Sequence, residues 1–162
     1  MIELVNSAVL TAQLLAIPEK IRVAVERKAV DDATKLIVGT LRQNAPAETG
    51  ALAKSFNRLI RGYQSGRVLV GLAGADYGYV GSVVRNKKGK KVFKRNNDAA
   101  AGNRRRPAKY LHLVTLGTQM RQTQAGQNRG SVIGQDFVKQ TQEQLTGQIQ
   151  QIFTDAVQEA LN

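Results

Sequence analysis

The side chains of this sequence that could carry chemistry are few and scattered, and their spacing argues against catalysis. His112 is the single histidine, and it lies inside the apolar run Tyr110-Leu111-His112-Leu113-Val114. A catalytic dyad needs a base or carboxylate beside the imidazole, and a metal site needs several ligands, so an isolated histidine reads as structural. Cysteine does not occur, which removes thiol nucleophiles, thiolate metal sites and disulfide scaffolds together. Asp31 and Asp32 fall in a helical pattern with Arg27, Lys28 and Lys35 within reach for local ion pairs, while Asp76 and Asp98 stand alone in loop-like sequence. No pair of acids has the spacing of a two-metal nuclease or a glycosidase. The glycines of Gly71-Leu72-Ala73-Gly74-Ala75-Asp76 are followed by neither a Lys-Ser/Thr pair nor a helix start, so they read as a strand end and turn, not as a phosphate cradle. The residues imply no enzyme, no cofactor and no metal.

Positive charge is what the sequence offers instead. Lys and Arg number 24 against 12 acids, a formal charge of +12. The excess is concentrated in residues 85–109, where Arg85, Lys87, Lys88, Lys90, Lys91, Lys94, Arg95, Arg104, Arg105, Arg106 and Lys109 are opposed only by Asp98. Such a cluster releases condensed counterions and grips the phosphates of DNA without regard to sequence. It suits docking on an acidic protein neighbour equally well, and simple solvation is the third reading. Phe93 and Tyr110 flank the charges and Tyr77 and Tyr79 precede them. So few rings argue against a dedicated single-strand binder, which interleaves aromatics with cations.

The elements that must position this segment can be read from periodicity. At 162 residues the chain fits one domain, residues 1–162. With 42% hydrophobic residues but only 5% aromatic and no Trp, its core is expected to be Leu, Ile, Val and Ala, a thin interior that gains when a neighbouring subunit covers it. Residues 1–17 lack the basic start of a signal peptide and read as an amphipathic helix. No apolar run approaches the roughly 18 residues of a membrane span, so a soluble chain made in a cytoplasm is expected.

Over residues 19–44, Ile21, Val25, Ala29, Ala33, Leu36, Ile37 and Leu41 lay one stripe along a helix, with Pro18 suited to its first turn. Residues 51–84 read as a β-hairpin region: Leu52 to Arg61, a turn at Gly62 to Gly66, then Val68, Val70 and Leu72 in alternation. Tyr77-Gly78-Tyr79-Val80 reads as either a packing strand or a subunit contact. Val83-Val84-Arg85 and Val92-Phe93-Lys94 flank a polar tip, which predicts a second hairpin inside the basic insert. Residues 96–106 show no periodicity and are expected to be mobile unless a partner orders them.

Residues 110–118 are a compact run, a buried strand or one helical turn, stopped by Gly117-Thr118. A polar loop at 119–134 leads to a last helix at 135–161, where Gly147 costs roughly 1 kcal/mol relative to Ala and a Gln-rich face suits solvent or a wet subunit contact. The expected fold is α+β: long N-terminal and C-terminal helices packed on a small antiparallel sheet, with a basic hairpin and loop protruding.

Two signatures then bear on identity. Ala45-Pro46-Ala47-Glu48-Thr49-Gly50-Ala51-Leu52 comes directly after the first long helix, and Tyr110 to Thr118 precedes the polar loop. Pro46 disfavours helix at Ala45, and Gly50 permits a positive φ before the expected strand. In this order the signatures resemble the neck and tail-completion, or head-tail joining, proteins of long-tailed bacteriophages. Those proteins share Ala-Pro, two free positions, Thr-Gly, one free position and Leu, then Tyr, three mostly apolar positions, Val-Glu, an aromatic and Gly-Thr. Ala45, Pro46, Thr49, Gly50, Leu52, Tyr110, Val114, Gly117 and Thr118 match. Thr115 and Leu116 stand where the acid and the aromatic are usual, and Asp136-Phe137 where Pro-Phe is common.

The resemblance implies a virion protein without catalysis whose copies close head to tail into a six-fold or twelve-fold ring in the neck, after assembly in the host cytoplasm. Its implied partners are its own copies, the adjacent head-completion or connector protein, the tail-terminator or tail-tube protein and, without sequence preference, packaged DNA. No membrane is implied. The competing expectation is a nucleic-acid-binding module that uses residues 85–109.

Overall fold

Proline punctuation and apolar spacing set the first long helix. In the computed structural model, which describes residues 7–15, 18–46, 50–64, 68–96, 104–120, 122–124, 126–128 and 130–161, helix α1 spans Ser7–Leu15 and α2 spans Glu19–Asn44. The Pro18 carbonyl accepts the amides of Ile21 at 3.0 Å and Arg22 at 2.9 Å, closing the first turn of α2. At the other end Ala45 and Pro46 come at once, where proline excludes helical backbone at the residue before it. The chain divides into two compact units, residues 1–40, 58–73 and 141–162, and residues 41–57 and 74–140.

In the first unit α2 meets the last helix, α5 (Phe137–Leu161), through short and branched side chains. Ala33, Leu145 and Ile149 are buried together, with Leu36, Ile37 and Phe153 packed around them. Strands β1 (Phe56–Tyr63) and β2 (Val68–Ala75) pair as an antiparallel ladder. Gly71 of β2 lies hard against α2: a Cβ there would meet the Thr34 methyl and come within 2.8 Å of Val30 Cγ1. Charge reinforces this packing. Asp31 takes Lys35 at 2.7 Å on its own helix and Arg58 of β1, while Lys35 also reaches Asp32 at 3.2 Å. Of the helix pairings expected for these acids, Lys35 is therefore realised. Lys28 turns instead to Glu159 of α5 at 2.8 Å, and that hydrogen bond and charge raise the lysine pKa above its ordinary value.

The second unit is built round Phe56 and Phe93. Phe56 is 1% exposed and meets the Phe137 ring edge to face, centroids 6.1 Å apart at 75°. The Arg42 guanidinium donates to the Phe56 carbonyl at 2.7 Å. Leu41, Ala45, Leu52, Val80, Phe93 and Ala108 complete the buried apolar set.

Here the structure departs from the expected hairpin start. Gly50 does adopt a positive φ, 65°, but the next five residues form a helical turn, α3 (Ala51–Ser55), and extended backbone begins only at Phe56. The Lys54 amide donates to the Gly50 carbonyl at 3.1 Å and the Ser55 hydroxyl to the Leu52 carbonyl at 2.7 Å, so local bonds outcompete the ladder over these residues.

Strands β3 (Gly81–Arg85) and β4 (Lys91–Arg95) pair antiparallel, in the position predicted for the second hairpin. The fold is α+β, with two separate two-stranded sheets among the described residues where one small sheet was expected. A tight turn follows β2, in which Asp76 Oδ1 accepts the Gly78 amide at 2.6 Å. Of the two readings of residues 110–118, the helical one holds: a 3-10 turn at Pro107–Tyr110 runs into α4 (Leu111–Leu116), none of whose residues is fully buried.

The Gly-Thr pair after α4 has a definite task. Gly117 takes φ 77° and ψ −175°, backbone open essentially to glycine alone. Thr118 donates its amide to the Val132 carbonyl at 2.9 Å and accepts the Val132 amide on its hydroxyl at 3.0 Å. The Gln135 amide then donates to the Val114 carbonyl at 2.9 Å, so the two ends of the polar loop are fastened to α4 before α5 begins. No described helix is long and apolar enough to cross a membrane.

Candidate functional site

The basic insert is carried by the β3–β4 hairpin, and its tip is held by one asparagine. Asn86 Oδ1 accepts the amides of Lys88 at 3.0 Å and Lys90 at 2.9 Å, and its backbone amide donates to the Lys90 carbonyl at 2.9 Å. Gly89 supplies the positive φ, 74°, that lets the chain reverse. The Arg85 guanidinium closes over the tip onto the Gly89 carbonyl at 3.1 Å. Lys87, Lys88, Lys90, Lys91, Lys94 and Arg95 are all exposed.

Register decides which face each side chain occupies. Ser82 pairs with Lys94, Val83 with Phe93, Val84 with Val92 and Arg85 with Lys91. Because side chains alternate along a strand, Val83, Arg85, Lys91 and Phe93 share one face and Lys94 lies on the other. Arg85 and Lys91 are thus directly opposed cations, a destabilising arrangement in a ladder. At the base of the hairpin Phe93 stacks on Tyr79, centroids 5.4 Å apart at 26°, and the Arg95 guanidinium lies 5.6 Å from the Tyr79 ring centre. Residues 77–80 form no strand, but Tyr79 packs on Phe93, which takes Phe93 out of play as a base-stacking ring. Tyr77 is exposed.

The second half of the insert returns to the same hairpin. Arg105 and Gly81 exchange backbone hydrogen bonds of 2.8 and 3.1 Å, along the edge of β3 opposite β4. Residues 97–103 of the aperiodic segment, Asp98 among them, lie outside the described residues, but Arg105 is ordered by this bridge and not loose. Arg104, Arg105 and Lys109 are exposed and Arg106 is half-buried. Among the described residues Arg22, Lys28, Lys35 and Arg58 are ion-paired, whereas the cations of the insert are not.

Sequence reasoning missed what lies beside the hairpin. The inward face of β3–β4 walls a cleft of about 610 Å³ whose other sides are Pro46, Ala51 and Leu52 from the first signature and Pro107, Tyr110 and Val114 around the second. The 3-10 turn packs against α3, which is what joins the two signatures. Lys91 and Arg105 also line it. Each apolar wall residue was visible in the sequence, but nothing in the spacing signalled that Leu52 and Val114 would face one hollow.

Of the signature residues, Ala45 and Leu52 are buried, Pro46, Gly50, Val114, Gly117 and Thr118 are half-buried, and Tyr110 is exposed. Thr49 lies outside the described residues. His112 is exposed on α4, so the apolar run around it does not enclose it. Among the described residues no three His, Asp or Glu side chains gather as metal ligands would. The chain matches no protein-family model, no curated protein and no solved structure.

Proposed function

We propose that this chain is a non-enzymatic bacteriophage virion protein that forms a closed ring at the head-tail junction, joining the capsid connector to the tail tube. The observation that carries the reading is the meeting of the two signatures. Residues that match one family in sequence order, Pro46 and Leu52 from the first and Tyr110 and Val114 from the second, line a single cleft. A chance match of two short motifs has no reason to converge on one surface.

Exposed apolar side chains support an assembled state. Leu116 is 81% exposed and Ile133 87%, with Met120 open as well. In a ring each such surface is covered by the next copy, which removes the cost of leaving it in water. The basic hairpin then faces the adjoining layer of the neck, where head-completion, connector or tail proteins and the entering DNA are the available partners.

Particle assembly without this chain is the test. The reading requires filled heads and separate tails that join when wild-type protein is supplied. It also requires that the quadruple variant K87E/K88E/K90E/K91E fold normally by circular dichroism and fail to join them. Normal infectious particles made without the chain overturn it.

A further inference from the structure

We infer that the cleft beside the basic hairpin is a docking site for an acidic peptide segment of another protein, one that seats a bulky apolar side chain between α3 and α4 and lays its carboxylates on Lys91 and Arg105. Three observations carry this. The cleft volume, about 610 Å³, lies in the range of formed ligand sites, and its walls are mostly carbon: Leu52, Val83, Phe93, Pro107 and Val114. Its charged lining is of one sign, Lys91 and Arg105, and neither is ion-paired among the described residues. The third is the like-charge pair Arg85 and Lys91, side by side on the face that forms the wall. Two opposed cations repel. An anion laid on Lys91 relieves that repulsion, so the hairpin is poised for a negative partner at this point.

The same observations discriminate against DNA. Phosphates would use the cations but leave the apolar walls in water, and the bases of a duplex are stacked out of reach. If phosphates alone were bound, the tip lysines Lys87, Lys88 and Lys90 would suffice and the cleft would have no part. A segment with carboxylates flanking leucine or phenylalanine satisfies both features at once. This inference rests on the head-tail reading only in its choice of partner, a neighbouring virion protein. The cleft itself can be tested on the isolated full-length chain.

The test is fluorescence anisotropy with three labelled probes: a short peptide of alternating glutamate and leucine, an all-glutamate peptide of equal charge, and a duplex DNA oligomer. The expected result is that the glutamate-leucine peptide binds at least about tenfold more tightly than the all-glutamate one, since a buried leucine side chain is worth that much or more. Lys91→Glu should abolish most of this binding. Because that change replaces a repulsive pair with an attractive one, amide exchange in β3 and β4 should slow, which separates lost binding from lost structure. Val114→Ser, which removes apolar wall without adding charge, should weaken the glutamate-leucine peptide and leave the all-glutamate peptide unchanged.

Equal affinity for the two peptides, tighter binding of DNA that survives Val114→Ser, or no response to Lys91→Glu would each overturn the inference. Failure here leaves the ring untouched, because joining of heads to tails is read separately from peptide binding.

Discussion

Gly117 and Gly134 come together so closely that neither has room for a side chain: a Cβ on Gly117 would sit 2.6 Å from the Gly134 nitrogen, and one on Gly134 would sit 2.8 Å from the Gly117 nitrogen. This approach fastens the polar loop of residues 119–134 to α4, with the Thr118–Val132 bridge beside it.

Gly117→Ala therefore faces two penalties, a backbone conformation almost closed to alanine and a clash with main-chain atoms that cannot rotate aside. A loss of about 2 kcal/mol or more is expected, lowering Tm by about 4–8 °C. Thermal unfolding monitored by circular dichroism checks it. An unchanged Tm would mean that the loop is not anchored here.

Gly147 is the opposite case. It lies exposed in the middle of α5, and a Cβ there would have no neighbour within 4 Å. Gly147→Ala should stabilise the protein by about 1 kcal/mol through helix propensity alone, read as a higher denaturation midpoint with an unchanged slope.

Phe56 tests the centre of the second unit. It is almost fully buried against Phe137, and Phe56→Ala should cost about 3–5 kcal/mol, enough to unfold a marginal domain. If that variant fails to accumulate, Phe56→Leu supplies the graded measurement by urea denaturation and should fall between the two.

Alkaline pH should undo the Lys28–Glu159 tie between α2 and α5. The native pKa of Lys28 is raised, so the stabilisation is present in full below the pH at which a free lysine titrates, and it fades as pH climbs through the raised native value. Compared across that window, wild type and Glu159→Gln should converge at the alkaline end. Both side chains are exposed, which keeps the difference small at every pH. A gap that persists above the lysine range would assign the effect to something other than the ammonium.

Legibility in the sequence tracked the range of the interactions involved. Helix α2 runs over the residues predicted for it because Pro18 and Pro46 mark its ends and its apolar stripe is local. The β3–β4 hairpin was readable for a similar reason: Asn86 and Gly89 are turn residues between β-prone arms. Ala51–Ser55 was misread as strand because its helical turn is settled by Gly50 and by the buried Ser55, whose carbonyl accepts the Asp76 amide at 2.8 Å. That bond joins residues far apart in the chain, and no local window contains it. The cations of the candidate site were plain from composition, whereas the hollow beside them depends on α3 meeting the 3-10 turn at Pro107. The strand-like bridge at Arg105 had no signal at all, since its partner is a glycine in another element.

Gly81 stands at both exits of that hairpin: it is the register partner of Arg95 where β4 ends and the bonding partner of Arg105 where the chain comes back. Whatever joins those two positions starts and finishes at one fixed place. Closing a longer linker across a fixed span costs only about 0.6 kcal/mol for each doubling of its length. A change of chain length between Asn96 and Arg104 is thus expected to leave the pairing of Gly81 with Arg95 and Arg105 in place.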